Sequence, residues 1–302
     1  KDVDIITAPR STGSVLKPFL YAAMLDEGEL LPESLVKDTP TVIDGFSTEN
    51  YDKRYTGAIP ASQALSRSLN VPAVRLLREH TVPKFYNKLQ DLKLTHINRG
   101  ASTYGLSLII GGGESSLWDM SRAYLGMAKT LELYTKNSSQ YDPEVMNRLS
   151  YLDDNSAFAK AEKETSQKHV NWSLEPSIYG TGSIYHTFEA MKKVNRPEGE
   201  EIWHFFNPDR EIAWKTGTSF GIRDAWAIGV TPKYIIGVWT GNADGEGRAD
   251  MTGIDSAAPV LFDLFNRLPT QNWFAPPYDD LIQVPTCKQS GYLATPLCES
   301  IS

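Results

Sequence analysis

The sequence predicts an α+β fold in which an antiparallel sheet is flanked by helices. Helical patterns dominate the earlier part of the chain, and the strongest β signals come late, in residues 211–216, 224–230 and 234–240. Only Thr231-Pro232-Lys233 separates the last two runs, a gap of hairpin length with turn residues. Helices first and adjacent antiparallel strands later are typical of this layout.

The first helix is predicted to begin close to Ser14 and to end near Gly28. Residues 19–25 are almost entirely apolar, which indicates a helix buried on most sides. Pro18 is tolerated only in the first turn, where backbone N–H groups lack helical partners. Residues 29–58 are rich in Pro, Asp, Gly and Thr and predict an extended surface loop.

Further helices are predicted from proline positions and hydrophobic periodicity. They cover residues 60–65, 73–80, 83–92, 114–131, 186–194 and 255–267. Between them, residues 134–171 are polar, and we expect an exposed insertion, disordered in part or weakly helical around 156–163.

Length and composition restrict the class of protein. A chain of 302 residues with 41% hydrophobic residues can bury one large core or two. The net charge of -7, with scattered Lys and Arg, argues against nucleic acid as a partner. There is no apolar run long enough to span a membrane. The chain begins without a methionine, and we expect an excised fragment of a longer protein.

Two cysteines, Cys287 and Cys298, lie in one short segment near the end of the chain. Such a pair suggests a local disulfide and an oxidising compartment. Two free thiols are the alternative, and the sequence leaves both open.

The pattern Ser14-Val15-Leu16-Lys17 suggests nucleophilic chemistry. Residues three apart on a helix share a face, so the lysine amine can take the serine proton if it is neutral part of the time. The pattern occurs twice, and the second copy, residues 34–37, lies among turn residues. We therefore interpret the second copy as a solvated loop. Taken alone, Ser14 could equally be a first-turn serine that caps the helix.

A second motif, Lys215-Thr216-Gly217-Thr218, ends a predicted strand. Its lysine offers a cation and its threonines offer hydroxyls, while a strand edge can pair with an extended peptide. Ser14-x-x-Lys17, Ser68-Leu69-Asn70 and Lys215-Thr216-Gly217 together match the three-part signature of penicillin-binding proteins and serine β-lactamases.

The wider chain resembles the transpeptidase domain of class A penicillin-binding proteins, through residues 10–20, 64–74 and 214–239. The resemblance implies a sheet of about five strands beside an all-helical subdomain. We expect this domain to cover residues 1–268, including the polar insertion. Residues 269–302 are expected to be a linker and the start of a truncated C-terminal domain.

The resemblance also implies a role for each matching residue. Ser14 is expected to attack the penultimate D-alanine carbonyl of a peptidoglycan stem peptide, and Lys17 to take its proton. Ser68 would relay a proton to the leaving D-alanine, while Asn70 holds Lys17 and the substrate amide. Lys215 would orient Ser68 and supply positive charge.

The remaining implied roles concern substrate binding. Thr216 and Thr218 are expected to hold the terminal carboxylate, and Gly217 to allow close approach of the substrate backbone. The backbone N–H groups of Ser14 and Thr218 would form the oxyanion hole. No metal or cofactor is implied, because no group of His, Cys, Asp or Glu has ligand spacing in the sequence. The five histidines lie far from these motifs in the sequence and are interpreted as surface or core residues.

The resemblance implies D-Ala-D-Ala stem peptides as substrates and β-lactams as covalent inhibitors. It implies a full-length protein with a glycosyltransferase domain and an anchor, at the periplasmic face of the bacterial inner membrane. A β-lactamase or D,D-carboxypeptidase is one alternative, disfavoured because the middle motif is Ser-Leu-Asn rather than Ser-Asp-Asn. A non-catalytic β-lactam sensor is another, disfavoured because a sensor would be a single domain beside a membrane segment, whereas this chain continues into a cysteine-bearing tail. A degenerate domain is disfavoured because all three motifs are intact.

Overall fold

The computed structural model describes residues 5–43, 45–148, 170–194 and 210–302, which form an α+β fold as predicted. The helices are α1 Lys17–Asp26, α2 Ala61–Ser66, α3 Asn70–His80, α4 Val82–Asp91, α5 Ala101–Tyr104, α6 Leu117–Lys136, α7 Val145–Arg148, α8 Thr181–Lys192 and α9 Ala258–Asn266. The strands are β1 Arg10–Ser11, β2 Leu35–Asp38, β3 Thr41–Ile43, β4 Phe46–Thr48, β5 Gly57–Pro60, β6 Glu114–Ser115, β7 Ala213–Thr218, β8 Asp224–Val230 and β9 Ile235–Gly241. Short 3₁₀ turns cover Gly105–Ile110 and Tyr278–Asp280, and a π-helical turn covers Gly253–Ala257.

The main sheet is antiparallel, in the order β7-β8-β9, and confirms the three late β runs. All seven residues of β8 are buried because helices cover both faces of the sheet. Alternate side chains point to opposite faces: Trp226 packs towards α1 and α6, and Ala227 packs towards α9. The resemblance implied about five strands. Among the residues that the structure describes, this sheet has three, and the other strands form two-stranded pairs.

Helix α1 lies at the centre of the larger hydrophobic core. Its first eight residues are buried, as the apolar sequence predicted. The ring of Phe19 lies 4.7 Å from that of Tyr124, whose hydroxyl donates to the carbonyl of Val15 at 2.8 Å. The chain turns after the helix at Gly28, whose φ of +68° favours glycine. The element that carries Lys17 is therefore fixed on every side.

The predicted surface loop over residues 29–58 is wrong. Strands β2 and β5 pair there from Leu35 opposite Pro60 to Asp38 opposite Gly57, and β3 pairs with β4. Ser34 is fully buried rather than solvated: its hydroxyl accepts from the Leu31 N–H and donates to the carbonyl of Gly291. Strands of three or four residues are too short to show a hydrophobic period in the sequence.

The first part of the expected exposed insertion is packed against the fold. Helix α6 continues to Lys136, and Tyr134, Tyr141, Val145 and Met146 are buried. The rings of the two tyrosines lie 4.7 Å apart, so this polar stretch attaches through a few large side chains. The helix expected around 156–163 lies outside the described residues.

The C-terminal segment is folded against the domain. Its residues form bridges at Thr286–Leu293 and Cys287–Ile301, and the Leu35 N–H donates to the carbonyl of Ser290. The expected disulfide is absent: both cysteines are free thiols. Cys287 donates to the side chain of Gln289, and the sulfur of Cys298 accepts from the Thr295 N–H. Within the described ranges, we find no helix with the length and apolar character needed to cross a membrane.

We predict that Ser34→Ala lowers the free energy of unfolding by about 1–3 kcal/mol, because the partly buried Leu31 N–H loses its acceptor and the carbonyl of Gly291 loses a donor. Urea denaturation measures this change. Ser47→Ala, at an exposed serine of β4, is the control and should be nearly neutral. Equal stabilities of the two variants would contradict the buried role of Ser34.

Candidate active site

The site is built around Lys17, the first residue of α1. Its side chain is only 3% exposed, and its Nζ donates to the carbonyl of Ser68 and to Oδ1 of Asn70, both at 2.7 Å. Ser68 and Asn70 flank the start of α3, so one buried amine joins two elements that are 51 residues apart.

Ser14 lies in the turn that leads into α1. The Lys17 N–H donates to the carbonyl of Ser14 at 3.2 Å, so the helix proper begins three residues later than the serine. Ser14 is half-buried, whereas the amine of Lys17 is buried. This turn is therefore open to a ligand on one side and backed by protein on the other.

Ser68 occupies the loop between α2 and α3 with a φ of +56°. A non-glycine residue in this conformation is strained and persists only where its surroundings impose it. Its hydroxyl accepts a hydrogen bond from Nζ of Lys215 at 2.7 Å, while its carbonyl accepts from Lys17. Ser68 thus contacts both lysines.

Strand β7 brings the third motif to the same place. The side chain of Lys215 is 1% exposed, and its Nζ also donates to the carbonyl of Thr216 at 2.7 Å. The Thr218 hydroxyl accepts from the Gly253 N–H at 3.0 Å, and both threonines are half-buried. The motif therefore combines a buried amine with accessible hydroxyls.

The Ser14 turn and β7 are in backbone contact. A Cβ on Gly217 would lie 2.8 Å from the carbonyl oxygen of Thr12 and 3.3 Å from the amide nitrogen of Ser14. A Cβ on Gly13 would lie 2.8 Å from the amide nitrogen of Thr218. Only glycines permit this approach, which places the Ser14 and Thr218 amides on facing segments.

Burial sets the protonation of the two lysines. It lowers the pKa of Lys215 to about 7. Burial, and secondly the charge of Lys215, lowers the pKa of Lys17 well below its usual value. The amine of Lys215 is therefore neutral in part near pH 7, and that of Lys17 accepts a proton at a lower pH than an exposed lysine does.

The three histidines that the structure describes lie outside this cluster. His80 is buried against Glu29, His96 lies near Asp119 and His186 lies on α8, while His169 and His204 fall outside the described residues.

The sequence showed no metal-ligand spacing, but the fold brings Glu27, Glu29 and His80 within 4.8 Å of one another. The ammonium of Lys84 bonds both carboxylates, at 2.8 Å and 3.0 Å, and supplies the cation there.

The residues that support the cluster belong to none of the three motifs and were not predicted from the sequence. One is Gly111, the first of three consecutive glycines: a Cβ there would lie 3.0 Å from the Cα of Gly13, so glycine lets this segment pack behind the Ser14 turn. The Thr12 N–H donates to the carbonyl of Gly113 at 3.1 Å. Asn50, which accepts from the Asn70 N–H, gave no signal at all in the sequence.

Residues 3–121 match the family model of the penicillin binding protein transpeptidase domain. The chain is 34% identical over 266 residues to penicillin-binding protein 1C of Escherichia coli (strain K12), which covers 88% of this chain and 30% of that protein. It is 27% identical over 248 residues to penicillin-binding protein 1F of Bacillus subtilis (strain 168), covering 80% of this chain and 31% of that protein. The chain therefore spans about three tenths of the length of these relatives.

The fold is also similar to solved structures. Penicillin-Binding Protein 1A from Haemophilus influenzae superposes with a TM-score of 0.67 at 18% identity, covering 99% of this chain and 48% of that chain. The PonA1 protein from Mycobacterium tuberculosis in complex with penicillin V superposes with a TM-score of 0.66 at 18% identity, covering 98% and 77%. These likenesses confirm the predicted fold class.

We predict that Gly217→Ala separates β7 from the Ser14 turn, because its Cβ would clash with Thr12 and Val15. Unfolding should become easier by about 1–3 kcal/mol, and labelling by a fluorescent penicillin should slow at least about tenfold. Labelling time courses on folded protein measure the second effect.

Gly229→Ala is the matched control, because its Cβ would clash with Phe265 on the far side of the same sheet. It should lose stability but label at the wild-type rate per folded molecule. Wild-type labelling of Gly217→Ala would show that the contact is dispensable.

Proposed function

Because the chain carries a transpeptidase domain of the penicillin-binding protein family, we propose that it is a serine D,D-transpeptidase that crosslinks peptidoglycan stem peptides through an acyl-enzyme on Ser14. The observation that carries the proposal is the convergence of all three motifs on Ser68: its carbonyl contacts Lys17 and its hydroxyl contacts Lys215. Two buried amines with lowered pKa supply the base that a serine nucleophile needs.

In the acylation step, the Ser14 oxygen attacks the carbonyl carbon of the penultimate D-alanine, and its proton passes to the neutral amine of Lys17. The C–N bond then breaks, leaving an ester on Ser14. The terminal D-alanine departs as an amine and receives the proton that Lys17 accepted, relayed through the hydroxyl of Ser68, the residue whose carbonyl Lys17 contacts. Lys17 is then neutral again. Charge on the tetrahedral oxygen is stabilised by the amides of Ser14 and Thr218.

In the second step, the amine of a neighbouring stem peptide attacks the ester. The new amide bond forms as the ester C–O bond breaks, and the proton lost by the amine returns to the Ser14 oxygen through Lys17. Lys17 accepts one proton and gives one up in each step, so it is neutral again when the cycle ends. A water molecule in place of this amine would give hydrolysis instead.

Substrate binding uses strand β7, which lies at one edge of the described main sheet. An extended peptide can lie along this edge and pair with the backbone of β7. Gly217, which was expected to admit the substrate backbone, faces the Ser14 turn instead. Thr216 and Thr218 offer hydroxyls to the terminal carboxylate, and the charge of Lys215 favours it. A β-lactam presents a carbonyl and a carboxylate in the same relation, so it would acylate Ser14 and block the site.

The proposal also covers the domain organisation of the full-length protein. We place the transpeptidase domain at residues 1–268 and assign the following residues to a linker and a further domain. By analogy with class A relatives, we propose a glycosyltransferase domain and an anchor elsewhere in the protein, at the periplasmic face of the inner membrane.

Ser14→Ala should abolish the covalent penicillin adduct, because the ester is proposed to form on the Ser14 oxygen, which alanine lacks. Stability should stay within about 1 kcal/mol, since a first-turn serine contributes little more than a cap. Intact mass after incubation with a penicillin, followed over hours and mapped to the modified peptide, measures this.

The second Ser-x-x-Lys copy provides the control: Ser34→Ala should keep the adduct although it is less stable. An adduct that survives in Ser14→Ala would show that the nucleophile is misassigned. A transient wild-type adduct with turnover of the antibiotic would indicate a hydrolase.

Lys215→Ala should shift the acidic limb of the pH–rate profile for acylation, where the rate rises as Lys17 loses its proton, to higher pH. The charge of Lys215 lowers the pKa of Lys17, so its removal raises that pKa, and the neutral base then forms only at higher pH. The effect should be largest below about pH 7, where Lys215 carries its charge. Second-order acylation rates measured from the acidic through the neutral to the alkaline range define the limb.

Lys37→Ala, at the exposed lysine of the second copy, is the matched control and should leave the limb in place. A limb that stays fixed in Lys215→Ala, or moves to lower pH, would contradict the coupling of the two lysines.

A further inference from the structure

A buried chain of polar side chains runs from β2 to the first turn of α3. Its central member is Asn50, which is 2% exposed and belongs to none of the three motifs. Its Oδ1 accepts from the N–H groups of Asn70 and Val71, at 2.9 Å and 3.2 Å. One side chain therefore holds the start of the helix that carries Asn70.

The first turn of a helix has N–H groups without helical partners. The residue before α3, Leu69, cannot cap them, and no side chain of the helix does so. Asn50 acts as this cap from 20 residues away in the sequence. The cap fixes the backbone of Asn70 at the point where its side chain turns towards Lys17.

The side chain of Asn70 is held as well. Its Nδ2 donates to the carbonyl of Glu49 at 2.9 Å, beside Asn50, which leaves Oδ1 to accept from Lys17. Residues 49 and 50 thus orient both the backbone and the amide of Asn70.

Asp38 in turn fixes Asn50. Its carboxylate is fully buried and accepts from Nδ2 of Asn50 at 2.7 Å. The other carboxylate oxygen accepts from the N–H and the hydroxyl of Thr56, at 2.8 Å and 2.7 Å. A carboxylate can only accept, so it forces the NH₂ of Asn50 towards itself and Oδ1 towards α3.

We propose that Asn50, oriented by Asp38, is a positioning residue that sets the amine of Lys17 for proton transfer by holding Asn70. The inference rests on the proposed function, in which Lys17 is the base. Neither Asn50 nor Asp38 contacts Lys17 or Ser14 directly; both act through Asn70.

This role makes a kinetic prediction that a purely structural cap does not. Misplacing the base slows the chemical step, while the binding of ligand before acylation is untouched. Asn50 variants should therefore lower the acylation rate constant at saturating penicillin and leave the pre-acylation dissociation constant within about twofold.

The donor and acceptor pattern allows a sharp test by exchange of the two side chains. In Asn50→Asp, two carboxylates face each other; in Asp38→Asn, an NH₂ group faces either Asn50 or Thr56. Each single variant should lower the acylation rate constant at least about tenfold. The double variant restores one donor and one acceptor across the pair, losing only the bond to Arg54, and should recover to within about threefold of wild type.

Stopped-flow acylation by a chromogenic penicillin, at a temperature where circular dichroism shows every variant folded, separates the two constants. Thr187→Val removes a buried hydroxyl that donates within α8 and serves as the stability control; its acylation should be unchanged. Thr56→Val removes only one bond to Asp38 and gives a milder, foldable variant, in which the rate constant should fall about two- to fivefold.

The inference is overturned if folded single variants or Thr56→Val acylate at the wild-type rate, or if the double variant is no faster than the singles. A loss confined to the dissociation constant would also overturn it. These failures differ from failure of the proposed function, in which wild-type protein itself forms no adduct on Ser14.

Discussion

Two lysine amines buried beside one serine form the constraint on which the rest of the structure depends. Lys17 and Lys215 are nearly inaccessible, and in the described part of the chain neither forms an ion pair with a carboxylate. Their hydrogen bonds go instead to neutral oxygens: a carbonyl and an amide for Lys17, a hydroxyl and a carbonyl for Lys215. A carboxylate would favour the charged form of each amine and raise its pKa. Neutral acceptors accept hydrogen bonds from the amine but do not supply the negative charge that would offset burial, so the pKa stays low.

Such a cluster requires close backbone packing, because each amine can reach its acceptors only if three separate segments meet. Glycines allow this close packing in the turn before α1: Gly13 and Gly217 let the Ser14 turn lie against β7, and Gly111 lets a third segment pack behind the turn. At α3 the segments are joined by a polar side chain, because Asn50 caps the helix where Leu69 has no side-chain acceptor to do so. The apolar surroundings of α1 then hold these segments together.

The parts of this arrangement that were predictable from the sequence are those with a local signal. Three short-range patterns of this kind are the spacing of Ser14 and Lys17, the strand that carries Lys215, and the three β runs. The structure contains the helix, the strand and the antiparallel sheet that they predict. The pairing of β2 with β5 was missed because strands of four residues carry little periodicity. Asp38 and Asn50 were missed for a different reason: a buried polar side chain that caps a distant helix looks like a loop residue until the fold brings the two together. For Cys287 and Cys298, proximity in the sequence left a disulfide and two free thiols both open, and the structure contains the free thiols.

The lowered lysine pKa values also link the site to the stability of the whole domain. Lys215 has a pKa of about 7 when folded and its usual, higher value when unfolded. Between these two values the unfolded state binds more protons, so stability should rise with pH across this range, and below about pH 7 the full penalty applies. At neutral pH the buried amine therefore opposes folding. The core around Phe19, Tyr124 and Trp226 must offset that unfavourable contribution, and the helix that begins at Lys17 contributes to it with the buried residues Phe19 to Met24.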